Sequence, residues 1–181
     1  QHAIAHVVEF DHARHVAKED QYGRHFRTQA QSGRALKATQ YVEALTAKAR
    51  KQLREVFLAA DVGVTGANFA VAETGSICLV TNEGNGRLVS ALPRVHVAIL
   101  TMERLVPNLQ DLGVCLRLLA RSATGQRLTT YTTVLTGPRR EGETDGPEEL
   151  HVVILDNGRS KLVGTKYQDM LACIRCGACL N

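Results

Sequence analysis

Three cysteines at a strict spacing of three, Cys173, Cys176 and Cys179, lie within the last nine residues of the chain. A loop that winds round a cubane iron-sulfur cluster offers a thiolate to three of its irons when two residues separate successive cysteines. Ferredoxin-type runs continue with a fourth cysteine three residues later and then a proline, which this sequence does not include. We therefore expect the chain to be a piece of a longer electron-transfer protein, cut inside a cluster-binding motif.

The cysteine spacing also admits other interpretations. Zinc accepts thiolates, but structural zinc sites usually combine two separated Cys-x2-Cys or Cys/His elements, and the sequence shows no matching partner. Unligated thiols are the plainest alternative. In two-cluster ferredoxins the last ligand of a cluster comes from a distant second run. With three ligands at most, this piece alone is therefore expected to hold no stable cluster.

Upstream of the cysteines, helical and β-type patterns alternate. Apolar residues recur at three and four from about Thr39 to Ala60 and from about Asn108 to Ala120, which predicts two amphipathic helices, the second ending near Gly125. Short apolar runs predict strands at 62–64, 77–80, 95–100, 128–135 and 151–155, and a last short helix is expected at 166–171. This alternation favours an α/β fold, a sheet covered by helices, with 137–149 as an exposed loop within one domain.

Composition narrows the functional classes. With 44% hydrophobic residues the chain can bury a core, and no apolar run approaches the roughly 20 residues of a membrane span. The net charge of +4 is modest, and basic residues are not interleaved with aromatics, so nucleic acid is not an expected partner. Cys78 and Cys115 lie in apolar stretches and are read as small buried hydrophobes. An oxygen-labile cluster without disulfides indicates a reducing cytoplasm.

Glycine-bearing loops are the other candidate sites. Glycine permits positive φ, so successive backbone amides can converge on an anion, with Arg87 adding positive charge. The residues that could line such a ligand site are Thr65, Gly66, Glu73, Thr74, Gly75, Asn82, Glu83, Gly84, Asn85, Gly86, Arg87, Asp156, Asn157 and Gly158. Plain turns are the alternative, above all a hairpin at Asn85-Gly86. Glu73 is read either as a buried catalytic carboxylate or as a structural acceptor of loop amides.

Several motifs, taken in order, resemble one protein family. They are Asp61 to Ser76 (DVGVTGANFAVAETGS), Leu79 to Leu88 (LVTNEGNGRL), Thr136 to Pro138 (TGP), Asp145 to Glu149 (DGPEE), Asp156 to Ser160 (DNGRS) and the terminal CIRCGAC. Together they resemble the iron-sulfur subunits of the bacterial lactate-utilisation system, over about Thr39 to Asn181. The resemblance implies the C-terminal part of an LUD domain at residues 1–170, incomplete at its N-terminus and similar to the NagB/RpiA/CoA-transferase-like fold, followed by the beginning of a truncated 4Fe-4S ferredoxin-type module at 171–181.

The resemblance also implies a function. The intact protein would carry 4Fe-4S clusters, with Cys173, Cys176 and Cys179 as ligands, and would act with two sister subunits in oxidising L-lactate to pyruvate. Its final electron acceptor stays open, as does whether this subunit is itself an enzyme. An α/β domain that binds or acts on an acyl or nucleotide-like ligand, with Glu73 as a fold-level analogy, is the second hypothesis. A non-catalytic scaffold for sister subunits is the third.

Overall fold

The structure, a computed structural model, describes residues 7–8 and 38–180. The first 31 residues, which are rich in histidine, lie outside the described residues, apart from Val7 and Val8. In chain order the elements are β1 (Val7–Val8), α1 (Ala38–Ala59), β2 (Val62–Gly66), β3 (Phe69–Val71), β4 (Ser76–Thr81), α2 (Asn85–Ala91), β5 (Val95–Thr101), β6 (Leu105–Val106), α3 (Leu109–Thr124), β7 (Tyr131–Leu135) and β8 (Glu149–Leu155). Four 3-10 helices, Met102–Arg104, Arg159–Leu162, Gln168–Ala172 and Ala178–Leu180, complete the description.

The chain divides into two compact units. One unit covers Val8–Ala59 and contains α1, which confirms the first predicted helix. The other covers Gln1–Val7 and Ala60–Asn181 and contains β2 to β8 and all the candidate site residues. The remaining description concerns this second unit.

The first sheet has the strand order β1-β2-β5-β8. β5 pairs in parallel with β2 on one side and β8 on the other, with Val95 opposite both Val62 and Glu149. Gly66, Thr101 and Leu155 therefore end their strands at one edge of the sheet. That edge is where open α/β sheets place their ligands.

The second sheet has the order β6-β3-β4-β7, with β3 and β7 antiparallel to β4 and β6 parallel to β3. Its strands are short and apolar, and both of its faces are covered. On one face Ala70 and Ile77 pack with Ala98 and Leu100 of β5. On the other face Phe69, Val71 and Cys78 pack with Leu112 of α3. The core therefore consists of two sheets and one helix in layers, and Cys78 is buried as expected.

Helix α3 confirms the second helix prediction. The side chain of Asn108 accepts a hydrogen bond from the backbone N–H of Asp111 at 2.9 Å, which caps the first turn. Gly125 ends the helix in the left-handed conformation, at φ +69°, and its N–H donates to the carbonyl of Arg121. The capping residues thus set both ends of the helix.

The predicted hairpin at Asn85-Gly86 is wrong, because helix α2 begins at Asn85. Gly84 precedes it with φ +80°, and a Cβ there would lie 3.2 Å from the ring of Tyr131. α2 then packs directly against β2, where a Cβ on Gly63 would lie 2.0 Å from the carbonyl oxygen of Val89. Close helix-to-strand packing at this glycine therefore outweighs the local preference of Asn-Gly for a turn.

The other predicted elements are present with shorter or shifted bounds, and the short strands β3 and β6 were not predicted. The strand expected at 128–135 begins at Tyr131, and the last predicted helix is the 3-10 helix Gln168–Ala172. Residues 136–148 form the expected loop between β7 and β8. The α/β class is confirmed, although the strands divide between two sheets. Among the described residues, no helix has the length and apolarity needed to span a membrane.

Candidate functional site

The carboxyl ends of β5 and β8 bring three segments together. β5 runs into the 3-10 helix Met102–Arg104, and β8 runs into the turn that contains Asp156 to Gly158. Glu103 on the first segment pairs with Arg159 at the end of the second and with Arg175 between the cysteines. We call Glu103, Arg159 and Arg175 the carboxylate clamp.

The carboxylate of the clamp is buried, with its side chain 7% exposed. Its Oε2 lies 2.8 Å from Nε of Arg159, whose side chain is 22% exposed. Its Oε1 lies 3.5 Å from Nη2 of Arg175, whose side chain is 59% exposed. Each oxygen thus faces a different arginine, so that Glu103 bridges the end of β8 to the cysteine run.

Opposing effects set the pKa of Glu103. Burial raises the pKa, whereas hydrogen bonds from Thr101 and from its own backbone, and the positive charge of Arg159, lower it. The net result is a pKa below the usual value of this carboxyl group. Glu103 is therefore ionised at neutral pH, as the two ion pairs require.

The turn after β8 fixes Arg159. Asp156 accepts hydrogen bonds from the backbone N–H of Ser160 at 2.6 Å and from its hydroxyl at 2.7 Å, and these bonds lower the pKa of Asp156. The backbone between them adopts positive φ, +45° at Asn157 and +81° at Gly158. Asp156, Asn157 and Gly158 were predicted as ligand-lining residues, and in the structure they shape the turn that presents Arg159 to Glu103.

The cysteine run contacts the domain at three successive residues. Ile174 packs against the buried cluster of Phe69, Val71, Cys78, Val106 and Leu112. Arg175 belongs to the clamp, with φ +55°. Cys176 accepts hydrogen bonds from the N–H of Ala178 and from the hydroxyl of Ser122 on α3, and the bond from Ala178 is the main reason why its pKa is lowered. The loop therefore lies against the folded domain.

A second guanidinium lies beside the loop. Nη1 of Arg104 donates to the carbonyl of Asn68 at 3.4 Å, and the Arg104 guanidinium lies 5.8 Å from the centre of the Phe69 ring. Burial and the neighbouring charge of Arg175 lower the pKa of Arg104, while the charges of Glu103 and Cys173 act in the opposite direction. Positive charge is thus concentrated next to the first thiol.

The three thiols suit iron chemically but are not gathered into a metal site. Cys173 and Cys179 are exposed and Cys176 is half-buried. Over residues 38–180, no three His, Cys, Asp or Glu side chains come together as a group that could hold a metal ion. The donors fit three corners of a cubane cluster, whereas their present arrangement leaves the outer two thiols facing solvent.

Thr65 and Gly66 lie at the carboxyl end of β2, where Thr65 contacts the neighbouring strand β5. Oγ1 of Thr65 lies 2.7 Å from Nε2 of His96, which is fully buried on β5. Burial lowers the pKa of His96 to about 4, so this imidazole is neutral at physiological pH. The pair ties β2 to β5 within the sheet.

The Glu73 loop is an exposed turn between β3 and β4. Glu73 itself is exposed, so the buried carboxylate considered from the sequence is not found there. Its neighbours form a chain of hydroxyls, with Thr74 Oγ1 and Thr136 Oγ1 each 2.7 Å from Oγ of Ser76. Gly75 takes φ +68° to close the turn. The loop follows β3, and the backbone N–H of Glu73 donates to the carbonyl of Pro107 at 3.1 Å.

The Asn82–Arg87 loop joins β4 to α2 and is held by structural contacts. Asn82 donates to Oε1 of Gln126 at 3.0 Å and accepts from the N–H of Thr130 at 3.0 Å. Thr81 Oγ1 lies 2.9 Å from Oε2 of Glu83 and 2.8 Å from Oδ1 of Asn85. Asn82 therefore connects this loop with the segment before β7, whereas Glu83 and Asn85 are held by Thr81 at the end of β4.

Sequence reasoning missed Glu103 and Arg175 of the clamp and the neighbouring residues Arg104 and Ser122. Glu103, Arg104 and Ser122 carry no recognisable motif, and Arg175 was quoted only as part of the CIRCGAC motif. One signal was available, because Met102–Arg104 directly follows the strand predicted at 95–100 and so had to lie at its carboxyl end. The pairing of Glu103 with an arginine more than 50 residues away was not readable from the local pattern.

Comparison with known proteins gives a consistent result. The LUD domain profile matches residues 8–155. Three relatives are lactate utilization protein B of Bacillus velezensis FZB42, 59% identical over 145 residues, lactate utilization protein B of Bacillus subtilis 168, 58% over 143 residues, and the uncharacterized electron transport protein YkgF of Escherichia coli K12, 57% over 139 residues. These alignments cover 80%, 79% and 77% of this chain, respectively.

The chain spans about 30% of the length of these relatives: 30%, 30% and 29% in the same order. One solved structure, a duf162 family protein from Deinococcus radiodurans, is 28% identical, with a TM-score of 0.41 over 54% of this chain and 55% of its own.

Proposed function

The chain belongs to the LUD domain family, and from this premise we propose that it is part of an iron-sulfur electron-transfer subunit that serves lactate oxidation. Relatives at 57–59% identity are named for lactate utilization or electron transport. The cysteine run supports the finer statement, because its spacing is that of cluster ligands. The proposal applies to the longer protein of which such a chain forms about a third.

One observation carries the proposal: three thiols at cluster spacing lie in a loop that is anchored to the folded domain. Ile174, Arg175 and Cys176 each contact a different part of the domain. Cys173, Cys176 and Cys179 would hold three irons of a 4Fe-4S cluster, and a fourth ligand would come from elsewhere in the protein.

The roles of the surrounding residues follow from their charges. A bound cluster would supply one-electron transfer. Arg104 and Arg175 place positive charge beside the cysteine run. Ser122 and the N–H of Ala178 donate to Cys176, as hydrogen bonds to cluster sulfurs do. This chain's own residues thus bind and orient the ligands and stabilise negative charge.

The chemistry of lactate oxidation indicates which partner subunits this protein would need. Oxidation of L-lactate to pyruvate releases two electrons and two protons, so an electron-relay subunit must receive electrons from a sister subunit that binds the lactate. We place this relay in the cytoplasm, in a complex with such sister subunits. The final acceptor would be a further redox partner of the complex.

The experiment uses the full-length protein with its sister subunits. Iron and sulfide are measured after anaerobic reconstitution, and electron paramagnetic resonance is recorded on addition of L-lactate with and without the other subunits. We expect cluster reduction that depends on those subunits. The matched variants are Cys176→Ser, which should reduce the iron content, and Cys115→Ser, which should not. Absence of iron from the reconstituted wild type would refute the proposal, and reduction by lactate without partners would make this subunit an enzyme.

A further inference from the structure

We propose that Glu103 is a positioning residue for the cluster: fixed by Arg159, its carboxylate holds Arg175 and thereby fixes the cysteine loop on the LUD domain. This inference rests on the proposed function, since it assigns a task within the cluster site. Its test is separable, because the position of the loop can be measured without any cluster. The LUD domain would then form one wall of the site.

The geometry gives the clamp a fixed side and a movable side. Arg159 is held by the Asp156 turn, donates from Nη1 to the carbonyl of Asp156 at 3.1 Å, and is mostly buried. Arg175 is mostly exposed and contacts the other carboxylate oxygen. Glu103 lies between them with a side chain that is 7% exposed. The Glu103 carboxylate therefore connects the turn after β8 to the cysteine loop, so that the position of the turn determines the position of the loop.

The backbone of the loop requires such a restraint. Arg175 has φ +55°, a left-handed conformation that is unfavourable for a residue with a side chain. It lies between Cys173 and Cys176, so any change in its φ and ψ would redirect both ligands. The ion pair with Glu103 offsets the cost of this conformation. Packing of Ile174 alone would fix one side chain but would not fix the direction of the next thiol.

Fixing the loop in advance favours cluster assembly. A cysteine loop that is not anchored must be ordered when its thiolates bind iron, and the entropic cost of that ordering weakens binding. A loop already held at residues 174–176 bears less of this cost. The expected consequences of losing Glu103 are a mobile loop in the metal-free protein and incomplete cluster occupancy in the reconstituted protein.

The first experiment measures amide hydrogen exchange in the full-length protein after iron is removed by chelation. In Glu103→Gln, peptides covering residues 173–178 should exchange roughly twofold to fivefold faster than in the wild type, as expected for loss of an ion pair whose arginine is mostly exposed. The matched control is Glu141→Gln, an exposed glutamate in the loop before β8, which should leave these peptides unchanged. Equal exchange in the wild type and Glu103→Gln would overturn the clamp.

A second pair of variants covers the case in which Glu103→Gln fails to fold. Arg175→Gln removes the exposed half of the clamp and should give the same faster exchange at residues 173–178. Its control is Arg117→Gln, on an exposed position of α3. Unchanged exchange in Arg175→Gln would overturn the clamp even if Glu103→Gln gave no soluble protein.

Iron content and the midpoint potential then distinguish the two proposals. Reconstituted Glu103→Gln should hold less iron than Glu141→Gln, and the cluster that remains should have a shifted potential, because the Arg175 charge has moved. Faster exchange with no iron in any sample, wild type included, would retain the clamp and reject the iron-sulfur function. Wild-type iron content and potential in Glu103→Gln would reject a role for the clamp at the cluster.

Discussion

The two ends of the parallel sheet both carry arginine-glutamate ion pairs, but they differ in burial. At the amino ends, Nη1 of Arg94 lies 2.6 Å from Oε1 of Glu149, with side chains 57% and 50% exposed. At the carboxyl ends, Glu103 and Arg159 approach to 2.8 Å with side chains 7% and 22% exposed. The shorter distance belongs to the more exposed pair. Distance alone therefore does not show which pair matters.

Burial gives the two ends different roles. Water and salt screen the exposed Arg94–Glu149 pair, and such pairs contribute little to stability. A buried carboxylate that loses its arginine remains desolvated and unpaired, which is costly. The carboxyl end therefore depends on its ion pairs, whereas the amino end tolerates their loss. This dependence is consistent with a structural task at the edge where the cysteine loop lies.

The largest expected difference between the two ends is in stability. Glu103→Ala should lower the free energy of unfolding by about 2 kcal/mol, because it leaves Arg159 partly buried without its partner. Glu149→Ala should leave the unfolding midpoint unchanged within error. Urea denaturation of both variants beside the wild type provides the measurement. Equal losses of unfolding free energy in the two variants would mean that burial does not make the ion pairs at the two ends of the sheet differ in strength.

The sequence predicted the sheet interior better than this edge. In β5, buried residues alternate with partly exposed ones, and His96, Ala98 and Leu100 are the buried set. The apolar run already indicated that strand, since an apolar segment of this length between turn signals is typical of buried strands. Likewise, Asn108 and Gly125 marked both ends of α3. Local chemistry determines such features, so a local pattern reveals them.

The clamp could not be predicted in this way, because it depends on contacts between residues that are distant in sequence. Arg159 was part of a noted glycine loop, but its partner follows a different strand, and their proximity arises only when β5 and β8 pair in parallel. Likewise, the prediction of a turn at Asn85-Gly86 was wrong because Gly63, on strand β2, lets helix α2 pack closely against that strand. The cysteine spacing is the exception, because cluster ligation imposes its own local pattern.

A smaller difference is expected when each arginine is replaced by lysine. Arg159 uses Nε to contact Glu103 and Nη1 to contact the carbonyl of Asp156, and a single ammonium group cannot make both contacts in that geometry. Arg159→Lys should therefore lower the free energy of unfolding by about 1 kcal/mol. Arg94→Lys should have no measurable effect. If lysine served equally well at both ends, the planar guanidinium would not be needed in the clamp.

The smallest expected effect is a pH dependence specific to the buried carboxylate. The pKa of Glu103 is below its usual value of 4.5, so its contribution to stability is fully present above that value and is lost as the pH falls through the lower, folded-state pKa. The stability difference between wild type and Glu103→Gln should therefore shrink as the pH is lowered from 6 towards 3. Asp156 and Glu149 also have lowered pKa values, but they are present in both proteins and cancel in the difference. A difference that stays constant over this range would show that Glu103 acts through its shape and not through its charge, which would remove the electrostatic distinction between the two ends.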